Sequence, residues 1–146
     1  MKNKLNYIEL IDYINIMSIK KNVQSSLISF TYEFINFYYN ALNTRNFRAI
    51  NHHLKDYTTY SIEKIHVKGS SVMEYLNNLI TAKNLIYEVI DFDTLHSGSR
   101  RINLLVTGKV RFIDNNIPVE KLFTEYLHIS KDKKSCWIVS SIFKLI

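Results

Sequence analysis

The residues best suited to chemistry are Tyr38, Tyr39, Asp91, Asp93 and His96. Proton abstraction beside a carbonyl needs a carboxylate base and a neutral donor such as a tyrosine hydroxyl. Asp91 and Asp93 stand two apart on a predicted strand, so they share a face and could meet in one pocket. A solvated strand end next to the turn at 97–99 accounts for them as well and is the preferred reading. His52 and His53 diverge by about 100° on a helix. Together with His66, His96 and His128 they show no metal-ligand spacing. Ser, His and Asp are all present without a Gly-x-Ser-x-Gly elbow, and Gly69, Gly98 and Gly108 are isolated, so no loop cradles a phosphate. Nucleophilic hydrolysis and nucleotide chemistry are disfavoured, and no cofactor or metal is expected.

The elements that would position these residues fit one domain. A chain of 146 residues, 47% of them hydrophobic, can bury a core without staples. With 3 Gly and 1 Pro the composition is not that of a disordered chain. The single cysteine, Cys136, excludes an intramolecular disulfide and reads as a small buried hydrophobe. Polar residues Asn6, Glu9, Asp12 and Asn15 interrupt the N-terminal apolar residues, so no membrane span or secretory core is expected. The formal charge of +6 suits an anionic partner such as RNA, yet the basic residues are scattered along the chain.

Residues 1–24 carry an amphipathic helix marked by Tyr7, Leu10, Ile11, Ile14 and Met17, and residues 25–146 form the domain. A helix capped by Ser25 or Ser26 places Leu27, Phe30, Phe34, Phe37, Tyr38 and Ala41 on one stripe. A short helix with Phe47, Ile50 and Leu54 follows. Then comes a hairpin turning near Glu63 and Lys64, and a third helix with a Ser71–Glu74 capping box. Strands are predicted at 85–94, 101–112, 120–130 and 136–146. In the second, Ile102, Leu104, Val106, Val110 and Phe112 alternate with Arg101, Asn103, Thr107, Lys109 and Arg111. Helices first and a long meander last describe an α+β fold with helices on one curved sheet face.

Three segments resemble the nuclear transport factor 2-like superfamily: Phe34 to Thr44 with its paired tyrosines; Tyr60 to Glu63 followed by Gly69 and the helix with Val72, Glu74 and Leu76; and Leu104 to Gly108 with Trp137 to Leu145. The resemblance implies a cone of three N-terminal helices on a bent antiparallel sheet. It also implies a non-enzymatic adaptor of nucleocytoplasmic transport. In the family the importer docks GDP-bound Ran through an aromatic–Glu pair in the first hairpin and acidic residues in the loop after the Gly-containing strand. Glu63 matches the Glu, Ile62 stands where the aromatic belongs, and Asp114 is the one acid in the loop. Ser141 replaces an Asp ahead of the closing Phe. These departures and the basic charge favour a small mRNA-export cofactor over the importer, with a small-molecule isomerase or dehydratase in the helix–sheet cavity as a third reading.

A basic stripe of Arg101, Lys109 and Arg111 suits weak contact with RNA phosphate, without aromatics spaced to stack bases. Leu105 and Thr107 share that face, and Phe123 and Ile138 are expected to join it from neighbouring strands. The resulting half-apolar face implies pairing with a second copy or a paralogous domain. The expected partners are therefore a homodimer or heterodimer mate, an mRNA-export receptor or GDP-bound Ran, and Phe-Gly nucleoporins. A place in nucleus and cytoplasm, at the nuclear envelope and pore, goes with them.

Overall fold

The computed structural model describes residues 21–98 and 100–146. Helix α1 (Lys21–Asn43) leads into the short α2 (Phe47–Asn51), a hairpin of β1 (Thr59–Ile62) and β2 (Ile65–Lys68), and α3 (Ser70–Lys83). Four long strands follow: β3 (Ile86–Ser97), β4 (Arg101–Asp114), β5 (Ile117–Lys131) and β6 (Cys136–Leu145). One six-stranded sheet runs β2-β1-β6-β5-β4-β3, antiparallel except where β1 lies parallel to β6. The α+β plan read from the sequence is the plan observed. The expected helix within residues 1–20 lies outside the described residues. No described helix is long and apolar enough to cross a membrane.

Helix boundaries differ from expectation for local reasons. Helix α1 is already under way at Lys21, so the Ser25–Ser26 pair lies inside it rather than at its cap. Helix α3 begins after Gly69, with no side-chain cap, so the expected Ser71–Glu74 capping box is not formed. Gly69 adopts φ +63°, and a Cβ there would lie 2.8 Å from the Asp56 carbonyl oxygen, so only glycine fits this tight entry. Asn46 caps α2 by accepting from the Ala49 amide at 3.3 Å.

The core lies between α1, α3 and the concave sheet face. Phe34, Ile35, Tyr38, Tyr39 and Leu42 of α1 and Val72, Leu76 and Ile80 of α3 are buried against Ile102, Leu104, Val106, Leu127 and Ile129. The predicted period-2 pattern of β4 holds along its length, with Ile102, Leu104, Val106, Gly108 and Val110 inward. Asn43 binds the backbone of edge strand β3 in both directions, donating to the Tyr87 carbonyl (2.8 Å) and accepting from its amide (2.7 Å). Arg45, at φ +62°, donates to the Leu42, Asn43 and Leu85 carbonyls and to Asn84 Oδ1. These contacts join the end of α1 to the α3–β3 junction.

The sheet bends at Gly108. Its partner across β5 is Phe123, and a bulge at Ile90 interrupts β3 beside it. The Phe123 ring lies over the glycine and continues into an aromatic run, stacked on Phe143 at 5.0 Å and edge-on to Tyr87 at 5.8 Å. A Cβ at position 108 would lie 2.7 and 2.8 Å from Phe123 ring carbons and would also collide with the Glu88 carbonyl. Gly108→Ala is therefore expected to cost about 2 kcal/mol or more in urea unfolding. A loss below about 0.5 kcal/mol would show that the bend does not depend on this close approach.

Candidate functional site

The strand register divides the sequence-predicted partner residues into two places. The first is the convex sheet face turned away from the helices. Leu105, Thr107 and Lys109 are half-buried there and Arg111 is exposed, as alternation requires. Opposite them on β5 stand Tyr126, Thr124, Leu122 and Glu120, and beyond these on β6 stand Ile142 and Lys144. Leu122 is 45% exposed and Ile142 46% exposed, unusually open for large aliphatic side chains in a sheet. Lys109 pairs with Glu120 at 3.8 Å.

Phe123 and Ile138 are not on this face, contrary to expectation. Both point into the core, with exposures of 0% and 3%. Phe123 pairs with inward-facing Gly108, so its parity is that of the core; a one-residue change of phase moves a side chain through the sheet. Ile138 faces Ile129 because a register shift at His128/Ile129 resets β6. The aliphatic contribution from these strands comes instead from Leu122 and Ile142. Strict alternation from Phe123 would have found Leu122; the shift that places Ile142 has no local sequence mark.

Asp91 and Asp93 also lie on the convex face, opposite Thr107 and Leu105, and so not in the space between helices and sheet. Asp91 Oδ1 accepts from the Phe92 amide at 2.8 Å. The expectation that the two could meet in the helix–sheet pocket therefore fails. The side chain of His96 lies outside the described residues. His53 packs edge-on against Phe37 at 5.0 Å and contacts the Cys136 carbonyl through Nδ1 at 2.8 Å. Ser61 and His66 meet at 2.7 Å on the first hairpin. Among the described residues no three His, Cys, Asp or Glu side chains lie close enough to share a metal ion.

The second place is an apolar hollow of about 220 Å³ at the open end of the cone. Ile62, Leu79, Leu85, Val110, Phe112, Phe143 and Leu145 line it, with Lys83 at its rim. Three sequence-predicted residues converge here. Ile62 forms part of the wall, and Glu63 accepts from the Leu145 amide at 3.1 Å. Asp114 pairs with Lys83 at 3.8 Å. Glu63 holds φ +53° at the hairpin tip, an uncommon conformation for a side-chain-bearing residue. The hollow is wide enough for one bulky apolar side chain and too dry for a charged ligand.

The functional group that sequence reading missed is Glu125. It points inward from β5 with 1% exposure. Tyr39 donates to Oε1 at 2.7 Å, while Tyr38 (2.9 Å) and the Ser141 hydroxyl donate to Oε2. Burial pushes its pKa above the ordinary carboxylate range, and the bonds from Ser141, Tyr39 and Tyr38 partly oppose that shift. Burial and then the Glu125 charge raise Tyr38, Tyr39 and Tyr60 well above a free tyrosine. The carboxylate is thus an acceptor for hydroxyls that would otherwise be unsatisfied in the core. Its inward parity with Phe123 and Leu127 was the available signal.

A raised pKa means that Glu125 contributes stability that is fully present below the unfolded pKa and is lost as pH rises through the folded pKa. Glu125→Gln is expected to remove this dependence, so thermal melts of variant and parent should diverge in the variant's favour as pH rises above about 4.3. Glu125→Leu strands three hydroxyls and is expected to cost about 3 kcal/mol or more. A Leu variant as stable as the parent would remove the carboxylate from this role.

No protein-family model matches the sequence, and no curated protein matches it at a significant level. Solved structures do share its shape. Nuclear transport factor 2 from Cryptosporidium parvum superposes with a TM-score of 0.66 at 19% identity, over 78% of this chain and 90% of that one. A protein with a cystatin-like fold from Caulobacter vibrioides gives 0.67 at 9% identity, over 77% and 84%. A putative polyketide cyclase from Sinorhizobium meliloti gives 0.57 at 15% identity, over 76% and 93%. At these identities the likeness is one of architecture: the chain has the same cone-shaped α+β fold as these proteins.

Proposed function

We propose that this chain is a nucleocytoplasmic transport adaptor that acts by binding proteins, in the manner of the small mRNA-export cofactors its sequence resembles. The observation that carries this reading is the convex face. Leu105, Leu122, Tyr126 and Ile142 form an apolar centre, and Lys109, Arg111, Glu120 and Lys144 surround it. Such a surface gains by being covered, and a charged border sets which partner covers it and in what register. A second copy or a paralogous domain of the same fold would bring an equivalent half-apolar sheet face to cover it. The non-enzymatic reading rests on Glu125, whose oxygens are occupied by three core hydroxyls.

The alternative, import of GDP-bound Ran by a homodimer, is favoured by the hollow. Ile62 in its wall and Glu63 at its edge stand where the family docks that partner through an aromatic–Glu pair. Against it, Lys83 offsets Asp114, which leaves the rim without the acidic character that docking uses. Phe-Gly nucleoporin repeats would offer the hollow or the sheet border a single phenyl ring.

The pairing is tested by light scattering of the purified chain, alone and with an mRNA-export receptor domain. Ile142→Asp places a carboxylate in the apolar centre and is expected to weaken association at least about 100-fold, or about 2.8 kcal/mol, with the fold retained because the side chain is exposed in the monomer. Association that survives this change would show that another surface pairs. Binding of GDP-bound Ran by a homodimer, lost on Ile62→Asp, would put the import reading first.

A further inference from the structure

The end of the sheet away from the hollow carries a basic recess. Arg100 precedes β4, and Lys131, Asp132, Lys133 and Lys134 follow β5; together they enclose about 570 Å³. The loops are tied to each other and to themselves. The Lys131 amide donates to the Arg100 carbonyl at 2.9 Å, and the Gly98 amide donates to the Arg101 carbonyl at 2.8 Å. Asp132 Oδ1 accepts from the Lys134 and Ser135 amides, each at 2.8 Å. These backbone bonds hold the Asp132 carboxyl below its usual range. The one acid of the recess is thus engaged in shaping the turn that presents the lysines.

Lys83 and Lys109 have acidic partners elsewhere on the molecule, whereas no salt bridge among the described residues involves Arg100, Lys133 or Lys134. Lys131 spans a phenyl face instead, its Nζ 5.3 Å from the Phe30 ring centre. Exposed Arg101 extends the same field onto β4. Burial, and then this Arg101 charge, hold His128 below an ordinary histidine. Four cations against one acid leave the recess net positive, and a concave surface of one dominant sign focuses its potential into the space within it.

We propose that the recess formed by Arg100, Lys131, Lys133 and Lys134 binds the phosphate backbone of single-stranded nucleic acid. Four cations around 570 Å³ exceed what a single phosphate needs and suit a flexible strand that places successive phosphates within one cleft. A lipid surface is the poorer fit, because the loop tip Asp132-Lys133-Lys134-Ser135 carries no apolar side chain to enter it. The contacts are to phosphate, so base sequence and sugar type matter little. This site is separate from the convex pairing face and does not depend on that reading.

Fluorescence anisotropy of a labelled oligouridylate of about 12 nucleotides tests it. With about three phosphates neutralised, affinity is expected to fall about 20-fold between about 50 and 200 mM salt, and an oligothymidylate should behave alike. Lys133→Glu/Lys134→Glu is expected to lower affinity at least tenfold and to flatten the salt slope by about 1.4. Lys64→Glu/Lys68→Glu, an equal change of net charge on the first hairpin, is expected to lower affinity less than threefold. Equal losses in both variants would mean diffuse attraction, and no loss in the first would place the strand elsewhere. Binding to phosphatidylserine vesicles with none to either oligonucleotide would assign the recess to a membrane. Each of these results would overturn the proposal.

Discussion

A carboxylate sits where a hydrophobic core would by default be apolar, and the geometry of the cone depends on it. Glu125 lies in the middle of the sheet, and the hydroxyls that reach it come from adjacent residues of α1 and from β6. Tyr38 and Tyr39 leave a helix about 100° apart, so both can reach one carboxylate only if the helix axis crosses the sheet at a particular place and rotation. An apolar contact would tolerate sliding; a three-way hydrogen bond in a dry interior does not. The cost of burying the charge shows in its weakened acidity, and the return is a fixed helix position rather than large net stability.

With α1 held there, the remaining shape follows from one glycine. Gly108 lets the Phe123 ring lie directly on β4, and the bulge at Ile90 bends β3 at the same level. The concave side then fills with aromatic rings from three strands, Tyr87, Phe123 and Phe143. Past Phe143 the sheet curves away from α3, and the gap left between Leu79, Val110 and Leu145 is the apolar hollow. Its lip is held by Glu63 on the Leu145 amide and by the Lys83–Asp114 pair. The hollow is thus a consequence of curvature.

The surfaces of the cone differ in what they can bind. The convex face joins exposed Leu122 and Ile142 to a charged border. One end of the sheet offers a dry hollow and the other a recess lined by Arg100, Lys131, Lys133 and Lys134. The three surfaces are built from different residues.

The sequence by itself determined the order and kind of the elements, because periodicity is a local property. The stripe from Leu27 to Ala41, the alternation from Arg101 to Phe112 and the glycine after the hairpin each declare their structure within fifteen residues. The segments resembling the nuclear transport factor 2-like superfamily pointed to the same cone, and Ile62, Glu63 and Asp114, grouped by that resemblance, lie around the hollow. Only the tertiary structure decided which way the later strands face. Side-chain direction in a strand flips with each residue, so the bulge at Ile90 moves Asp91 and Asp93 and the shift at His128/Ile129 moves Ile138 with no mark in their own sequence, while Phe123 takes the inward parity of its partner Gly108. Glu125 has inward parity with Phe123 and Leu127, but its chemistry masks that signal. Among charged residues a glutamate in a strand reads as solvent-facing, and the hydroxyls that permit its burial lie 86 and 87 positions earlier and 16 later in the chain. The basic recess likewise exists because β4 and β5 pair antiparallel, which brings Arg100 beside Lys131. Contacts of that range are set by topology, which no local pattern of residues encodes.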